Sequence, residues 1–125
     1  MSLVLDAGAF IAVERNERRV LALIKREQRA GRAPLTHGGV IGQVWRGGAR
    51  QANVARLLKA IEISSLGEEL GRRAGTLLAR AGADDVIDAA LVLLGRDGDE
   101  IITSDPGDLH ALAHAAGIDL DIVPI

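Results

Sequence analysis

Residues 101–109 read IITSDPGDL and combine the features of a buried strand with those of a helix start. The two isoleucines indicate the strand, whereas Pro106 is typical of the first turn of a helix. Asp105 and Asp108 fall in this turn. Asp105 suits the N-cap and Asp108 suits the positive end of the helix dipole. The same two carboxylates could instead hold a cation, and the rest of the sequence bears on that choice.

Short apolar runs alternate with longer helical patterns on both sides of this segment, with no linker or repeat between them. This alternation predicts an α/β domain over residues 1–125, with a parallel sheet covered by helices on both faces. In such sheets the ligand crevice lies outside the carboxyl ends of the strands. The pattern predicts strands at residues 3–6, 33–36, 61–64, 100–104 and 120–125, and helices at 16–31, 38–48, 51–60, 66–82, 84–98 and 106–117.

Four aspartates are candidates for a metal site in that crevice. Asp6 and Asp105 each follow a predicted strand, and Asp108 lies close behind. Asp88 lies in a helix that is apolar almost all round, where an ionised carboxylate must be paired or bound to a cation. If the four converge, a hard divalent cation relieves their repulsion, and oxygen ligands favour Mg²⁺ or Mn²⁺. Asp6 also suits a turn, and residues 84 and 85 suit a helix start.

Composition excludes several classes of function. The chain has no cysteine, which excludes disulfides and thiolate metal sites. Phe10 and Trp45 are the only aromatic side chains, so an aromatic platform for stacking bases is not expected, and Trp45 is predicted to lie in the core or at a subunit contact. No apolar run approaches a membrane span, and the N-terminus lacks the pattern of a secretion signal, so we expect a cytoplasmic protein with no membrane partner.

Charge is unevenly distributed along the chain. Residues 1–83 carry 14 lysines and arginines against 7 acids, whereas residues 84–125 carry 1 arginine against 10 acids. A basic surface for a polyanion beside an acidic cation site would produce this split, and so would compositional drift of a solvent-exposed surface. Most of the basic residues are arginines, which suit forked contacts to phosphate.

Three segments in order, LVLDAGAFIA, DAALV and IITSDPGDL, resemble the PIN-domain nucleases, and most nearly the VapC-type toxins of bacterial toxin–antitoxin pairs. The resemblance covers nearly the whole chain. It implies a three-layer fold with about five parallel strands flanked by helices. It also implies an endoribonuclease that cleaves an RNA phosphodiester with a water activated by Mg²⁺ or Mn²⁺, a homodimer, and an antitoxin partner that blocks the site.

By resemblance, Asp6 takes the place of the first family acid, Asp88 the third and Asp105 the fourth, with Asp108 as an additional metal-site acid. Gln43 stands where the family usually has glutamate. An amide carries no charge, although its carbonyl oxygen can still accept a hydrogen bond. Near it, residues 46 and 50 are arginines that would hold the RNA backbone or, alternatively, form a solvated helix end.

Other functions stay open at this point. The glutamine at position 43 motivates the main alternative, a PIN-like module that binds RNA or protein with weak or no catalysis. A different phosphoryl-transfer enzyme would need a phosphate-binding glycine loop, which the sequence lacks. His110 and His114 have zinc-ligand spacing but lack the acidic partner of an H-E-x-x-H motif.

Overall fold

The computed structural model describes residues 1–125 and contains one five-stranded parallel sheet. The central strand is buried throughout because Leu-Val-Leu packs apolar side chains on both faces, as parallel sheets require. The sheet order is β3-β2-β1-β4-β5, and every neighbouring pair is parallel. The strands are β1 (Leu3–Leu5), β2 (Leu35–His37), β3 (Glu62–Ser64), β4 (Glu100–Thr103) and β5 (Asp121–Pro124).

Seven helices flank the sheet, and the predicted three-layer α/β fold is confirmed. Contacts group α1 with α2, α3 and α4, and group α5 with α6 and α7. None of them combines the length and the apolar character that crossing a bilayer requires. The helices are α1 (Ala7–Glu14), α2 (Arg18–Arg29), α3 (Gly38–Val44), α4 (Ala52–Leu58), α5 (Glu68–Ala81), α6 (Val86–Leu94) and α7 (Pro106–Ala116).

Three features differ from the sequence prediction. Helix α1 was not predicted, because its sequence AGAFIAVE is apolar without a helical stripe. Helix α6 ends at Leu94 rather than at residue 98, since Gly95 is extended and lies against Leu120. Of the two positions predicted for Trp45, the core is wrong, because this residue directly follows α3 and is 41% exposed; the subunit contact stays a prediction.

The sheet order brings one end of three strands together. β1 lies between β2 and β4, and all three run in the same direction. Asp6 directly follows β1, His37 ends β2 and Thr103 ends β4. The carboxyl edge of the sheet therefore carries polar residues that are far apart in sequence, and α6 and α7 begin beside them.

An ion-pair network around a buried glutamate joins the end of α2 to the start of β4. Glu27 is fully buried, and its Oε2 accepts a hydrogen bond from Arg32 Nε at 2.8 Å. Arg26 contacts Glu27 at 3.2 Å and also bonds Glu100. The hydrogen bond from Arg32 is the main reason why the pKa of Glu27 lies below its ordinary value. The ionised form of Glu27 therefore stabilises the fold.

Replacing Glu27 tests this network. Glu27→Ala should lower the free energy of unfolding by about 2 kcal/mol at neutral pH, because charge-assisted hydrogen bonds are lost. The lowered pKa means that the stabilisation is present above the ordinary value of 4.5 and is lost as the pH falls through the folded-state value. Urea unfolding at pH 7 and pH 3 measures both effects.

Glu68→Ala is the matched control, because Glu68 pairs with Arg72 on the exposed surface of α5. Its effect should stay under about 0.5 kcal/mol at either pH. Equal effects of the two substitutions would show that the buried network contributes nothing beyond a surface pair.

Candidate metal centre

Three carboxylates meet where α6 and α7 begin. Oxygens of Asp88, Asp105 and Asp108 all lie within 4.8 Å of one another. Asp88 lies in the first turn of α6, Asp105 directly precedes α7, and Asp108 lies in its first turn. The donor set contains oxygen alone, which fits Mg²⁺ or Mn²⁺ better than zinc.

Asp88 is the buried member of this group, with 8% of its surface exposed. Burial is the largest cause that raises the pKa of Asp88 to about 7, and the charges of nearby Asp85, Asp6, Asp105 and Asp108 contribute the rest of that rise. Without a cation, a carboxyl group in this position keeps its proton up to near-neutral pH. A divalent ion would replace that proton and offset the repulsion.

Asp105 and Asp108 are exposed to solvent. A hydrogen bond between the two side chains is the largest cause that raises the pKa of Asp105, followed by the charge of Asp108. Asp105 occupies the N-cap position of α7, but its side chain makes no capping hydrogen bond. Helix capping therefore does not account for the Asp105 carboxylate, which is free to face its acidic neighbour.

Asp6 lies beside this group but outside the 4.8 Å cluster. Its Oδ1 accepts a hydrogen bond from the Ala7 backbone at 2.6 Å and caps α1, and its Oδ2 accepts one from Thr103 Oγ1 at 2.7 Å. Its negative charge contributes to the raised pKa of Asp88 and of Asp105. Asp6 thus serves the helix start and the electrostatics of the site together.

Thr103 connects two of the acids through one buried hydroxyl group. This hydroxyl donates to Asp6 Oδ2 and accepts the backbone N–H of Asp105 at 2.9 Å. Thr103 has no exposed surface, so both bonds are shielded from water. Thr103 therefore joins the residue after β1 to the start of α7.

Gly8 is a site-forming residue that the sequence interpretation missed. A Cβ atom at this position would lie 2.8 Å from Ser104 Oγ, which is closer than real contacts allow. Only glycine lets the first turn of α1 pack against the segment that carries Asp105. No local signal marks such a contact, because Ser104 is distant in sequence.

Gln43, Arg46 and Arg50 line a different space from the acids. They border a cavity of about 460 Å³ next to α1 and α4, and none of the four candidate acids lines it. Arg46 folds back onto the end of α3, donating to the carbonyls of Trp45 at 2.7 Å and Gly42 at 3.3 Å. This geometry agrees with the helix-end interpretation for Arg46.

The remaining candidates take up structural or solvent-exposed positions. His110 and His114 are exposed on α7 and do not belong to the acid group. Asp99 is buried and accepts the backbone N–H groups of Ser2 at 2.7 Å and Arg96 at 2.9 Å. Part of the acidic excess in the second half of the chain therefore stabilises loops rather than a ligand.

Comparison with known proteins supports the fold. No protein-family model matches the sequence, and no curated protein matches it. Among solved structures, the chain is similar to one in the crystal structure of VapBC2 from Rickettsia felis bound to a DNA fragment from their promoter. The TM-score is 0.69 at 11% sequence identity, covering 98% of this chain and 99% of the other. The PIN-like fold that the three sequence segments implied is thus confirmed.

The raised pKa of Asp88 predicts how stability depends on pH. Because the folded-state value of about 7 exceeds the ordinary 3.8, the folded protein binds this proton more tightly than the unfolded chain. Stability of the metal-free protein should therefore fall as the pH rises between these two values. Asp88→Asn removes this titration. The melting temperature of the variant minus that of the wild type should therefore rise by a few degrees from pH 4 to pH 8, as measured by calorimetry in the presence of a chelator.

Asp119→Asn serves as the control, since Asp119 is an exposed acid outside the group. Its melting temperature should follow the wild type at every pH. A gap between Asp88→Asn and the wild type that does not change with pH would contradict the raised pKa.

Proposed function

We propose that residues 1–125 act as one PIN-like domain, a metal-dependent endoribonuclease of the cytoplasm and the toxin of a VapBC-type toxin–antitoxin pair. The observation that carries this proposal is the convergence of three carboxylates at the carboxyl edge of a PIN-like sheet. The buried member of the group favours its neutral form up to about pH 7. A bound divalent cation would compensate the negative charges of this site, whereas ionised carboxylates without a cation would repel one another.

Asp88, Asp105 and Asp108 would hold Mg²⁺ or Mn²⁺, and Asp6 would add negative charge beside them. When bound, the ion would stabilise the charge that develops on the phosphate and would provide a water nucleophile at neutral pH. The exposed carboxylate of Asp108 is open to solvent and would accept a hydrogen bond from the attacking water. Asp6 would keep Thr103, and through it the Asp105 backbone, in place.

The RNA backbone would lie along the cavity beside α3. Arg50 is exposed at the rim of this cavity and would make a forked contact to phosphate. Arg46 would make a similar contact once its side chain no longer bonds the carbonyl of Trp45. Gln43 lines the same cavity and would offer its amide to the RNA or to a water near the ion. These assignments rest on the position of the cavity and on the resemblance to PIN-domain nucleases.

A cognate antitoxin would cover the site, and the chain would form a homodimer. The similar fold in the Rickettsia felis VapBC2 structure supports the antitoxin partner, since that structure contains both components with promoter DNA. An antitoxin that blocks the carboxylates would keep the nuclease inactive until the antitoxin is removed.

The alternative is a PIN-like RNA- or protein-binding module with weak or no catalysis. The neutral amide of Gln43, which borders the cavity, favours this alternative because it adds no negative charge for a cation. The two proposed functions differ in whether the protein cleaves RNA or only binds it. A module would bind RNA and leave it intact in the presence of Mn²⁺.

An RNA cleavage assay tests the proposal. The purified chain with Mn²⁺ should cleave single-stranded RNA, and a chelator should stop the reaction. Asp105→Asn should slow cleavage by about 100-fold or more, because a ligand charge next to the phosphate is lost. Asp119→Asn is the matched control and should cleave at the wild-type rate; intact RNA after long incubation with the wild type would favour the binding module.

Restoring the acid at position 43 tests the role of Gln43. Gln43→Glu should increase the cleavage rate about tenfold, since a carboxylate at this position would strengthen cation binding. Gln43→Ala controls for loss of the amide. Equal rates for all three proteins would remove position 43 from the site.

A further inference from the structure

Two consecutive buried residues at the end of β2 contact the backbone just before two of the acids. Thr36 Oγ1 donates a hydrogen bond to the carbonyl of Leu5 at 2.9 Å, and Leu5 precedes Asp6. The Nε2 atom of His37 lies 2.9 Å from the carbonyl of Ile87, and Ile87 precedes Asp88. Neither Thr36 nor His37 has any exposed surface. One dipeptide therefore holds both acid-bearing segments.

The hydrogen bonds of His37 define its tautomer. Its Nδ1 accepts the backbone N–H of Gly39 at 3.0 Å, so this nitrogen carries no proton. The proton of the neutral ring is then on Nε2, which donates to the Ile87 carbonyl. Both ring nitrogens are used, and His37 links the start of α3 to the start of α6.

The peptide bond between Ile87 and Asp88 is held at both of its polar atoms. Its carbonyl accepts a hydrogen bond from Nε2–H of His37, and its N–H donates to Asp85 Oδ1 at 3.1 Å. The Ile87 side chain also lies against Gly39, where a Cβ atom would come within 2.5 Å of its Cδ1. The start of α6 is therefore fixed relative to β2 by the hydrogen bond from His37 and relative to α3 by the close contact at Gly39, while Asp85 caps the helix itself.

We infer that Thr36 and His37 are positioning residues that set the separation of Asp6 and Asp88 and, through it, the affinity of the site for a divalent cation. The inference rests on the proposed metal site. Neither residue contacts the carboxylates; each acts through the carbonyl that precedes an acid. Residues that orient ligands in this way commonly change metal affinity by about 10- to 100-fold when replaced.

A simpler role for His37 is to cap α3, since its ring accepts the N–H of Gly39. Two amide substitutions separate the roles, because each reproduces one ring nitrogen. Asparagine places its oxygen near the position of Nδ1, so His37→Asn keeps the cap and loses the bond to Ile87. Glutamine reaches the position of Nε2, so His37→Gln keeps the bond to Ile87 and loses the cap.

Calorimetric titration with Mn²⁺ provides the first measurement. His37→Asn should bind Mn²⁺ at least about tenfold more weakly than the wild type, and His37→Gln should stay within about threefold. Thr36→Val should weaken binding in the same way, and Thr36→Ser, which keeps the hydroxyl, should restore it. Val20→Ala controls for general loss of stability, because Val20 is buried in α2, which carries none of the four acids.

Amide hydrogen exchange without metal provides the second measurement and does not depend on the proposed function. His37→Asn should speed exchange at the Asp88 amide, whereas His37→Gln and Val20→Ala should not. Wild-type affinity and wild-type exchange in His37→Asn would overturn the inference and leave His37 as a helix cap. If His37→Asn fails to fold, the Thr36→Val and Thr36→Ser pair still tests the positioning role, at the segment that precedes Asp6.

A wild-type protein that binds no Mn²⁺ would contradict the proposed metal site, and the exchange data would still decide the positioning role. Weak Mn²⁺ binding in His37→Asn with unchanged RNA cleavage would separate metal affinity from the nuclease assignment. Failure of the positioning role and failure of the proposed function would therefore give different experimental results.

Discussion

Repulsion between carboxylates is the constraint around which the carboxyl edge of this protein is built. Oxygens of Asp88, Asp105 and Asp108 approach within 4.8 Å, and one of the three side chains is largely removed from water. Like charges at this separation, one of them largely removed from water, raise the pKa of the buried group unless something compensates them. Protonation of Asp88 is one compensation, and a divalent cation is the other.

The fold counters this repulsion with hydrogen bonds that fix the backbone next to the acids, rather than with salt bridges to the acids. Thr103 joins Asp6 to the backbone of Asp105, and His37 holds the peptide before Asp88. No arginine or lysine forms a salt bridge with the four candidate acids. A cation from outside the chain would supply the positive charge that this site lacks.

Much of this arrangement could be predicted from the sequence for identifiable reasons. Asp88 was identified because it interrupts an apolar helix, and Asp105 because it follows a predicted strand, whose carboxyl end parallel topology places at the ligand edge of the sheet. The position of Asp6 just outside the acid group could not be predicted, since it depends on a hydrogen bond from distant Thr103. A single buried histidine such as His37 gives no periodic signal, and its partner is 50 residues away. Helix α1 was missed because its apolar residues do not form a stripe.

The most direct test of the central claim is a crystal structure grown with Mn²⁺ and measured near the manganese absorption edge. We expect an anomalous peak bonded to oxygens of Asp88, Asp105 and Asp108, with metal–oxygen distances of about 2.1 Å, close to those of Mg²⁺. The same peak should be absent from crystals of Asp105→Asn. Carboxylates that bind only water and each other at saturating Mn²⁺, or an ion held elsewhere on the chain, would contradict it.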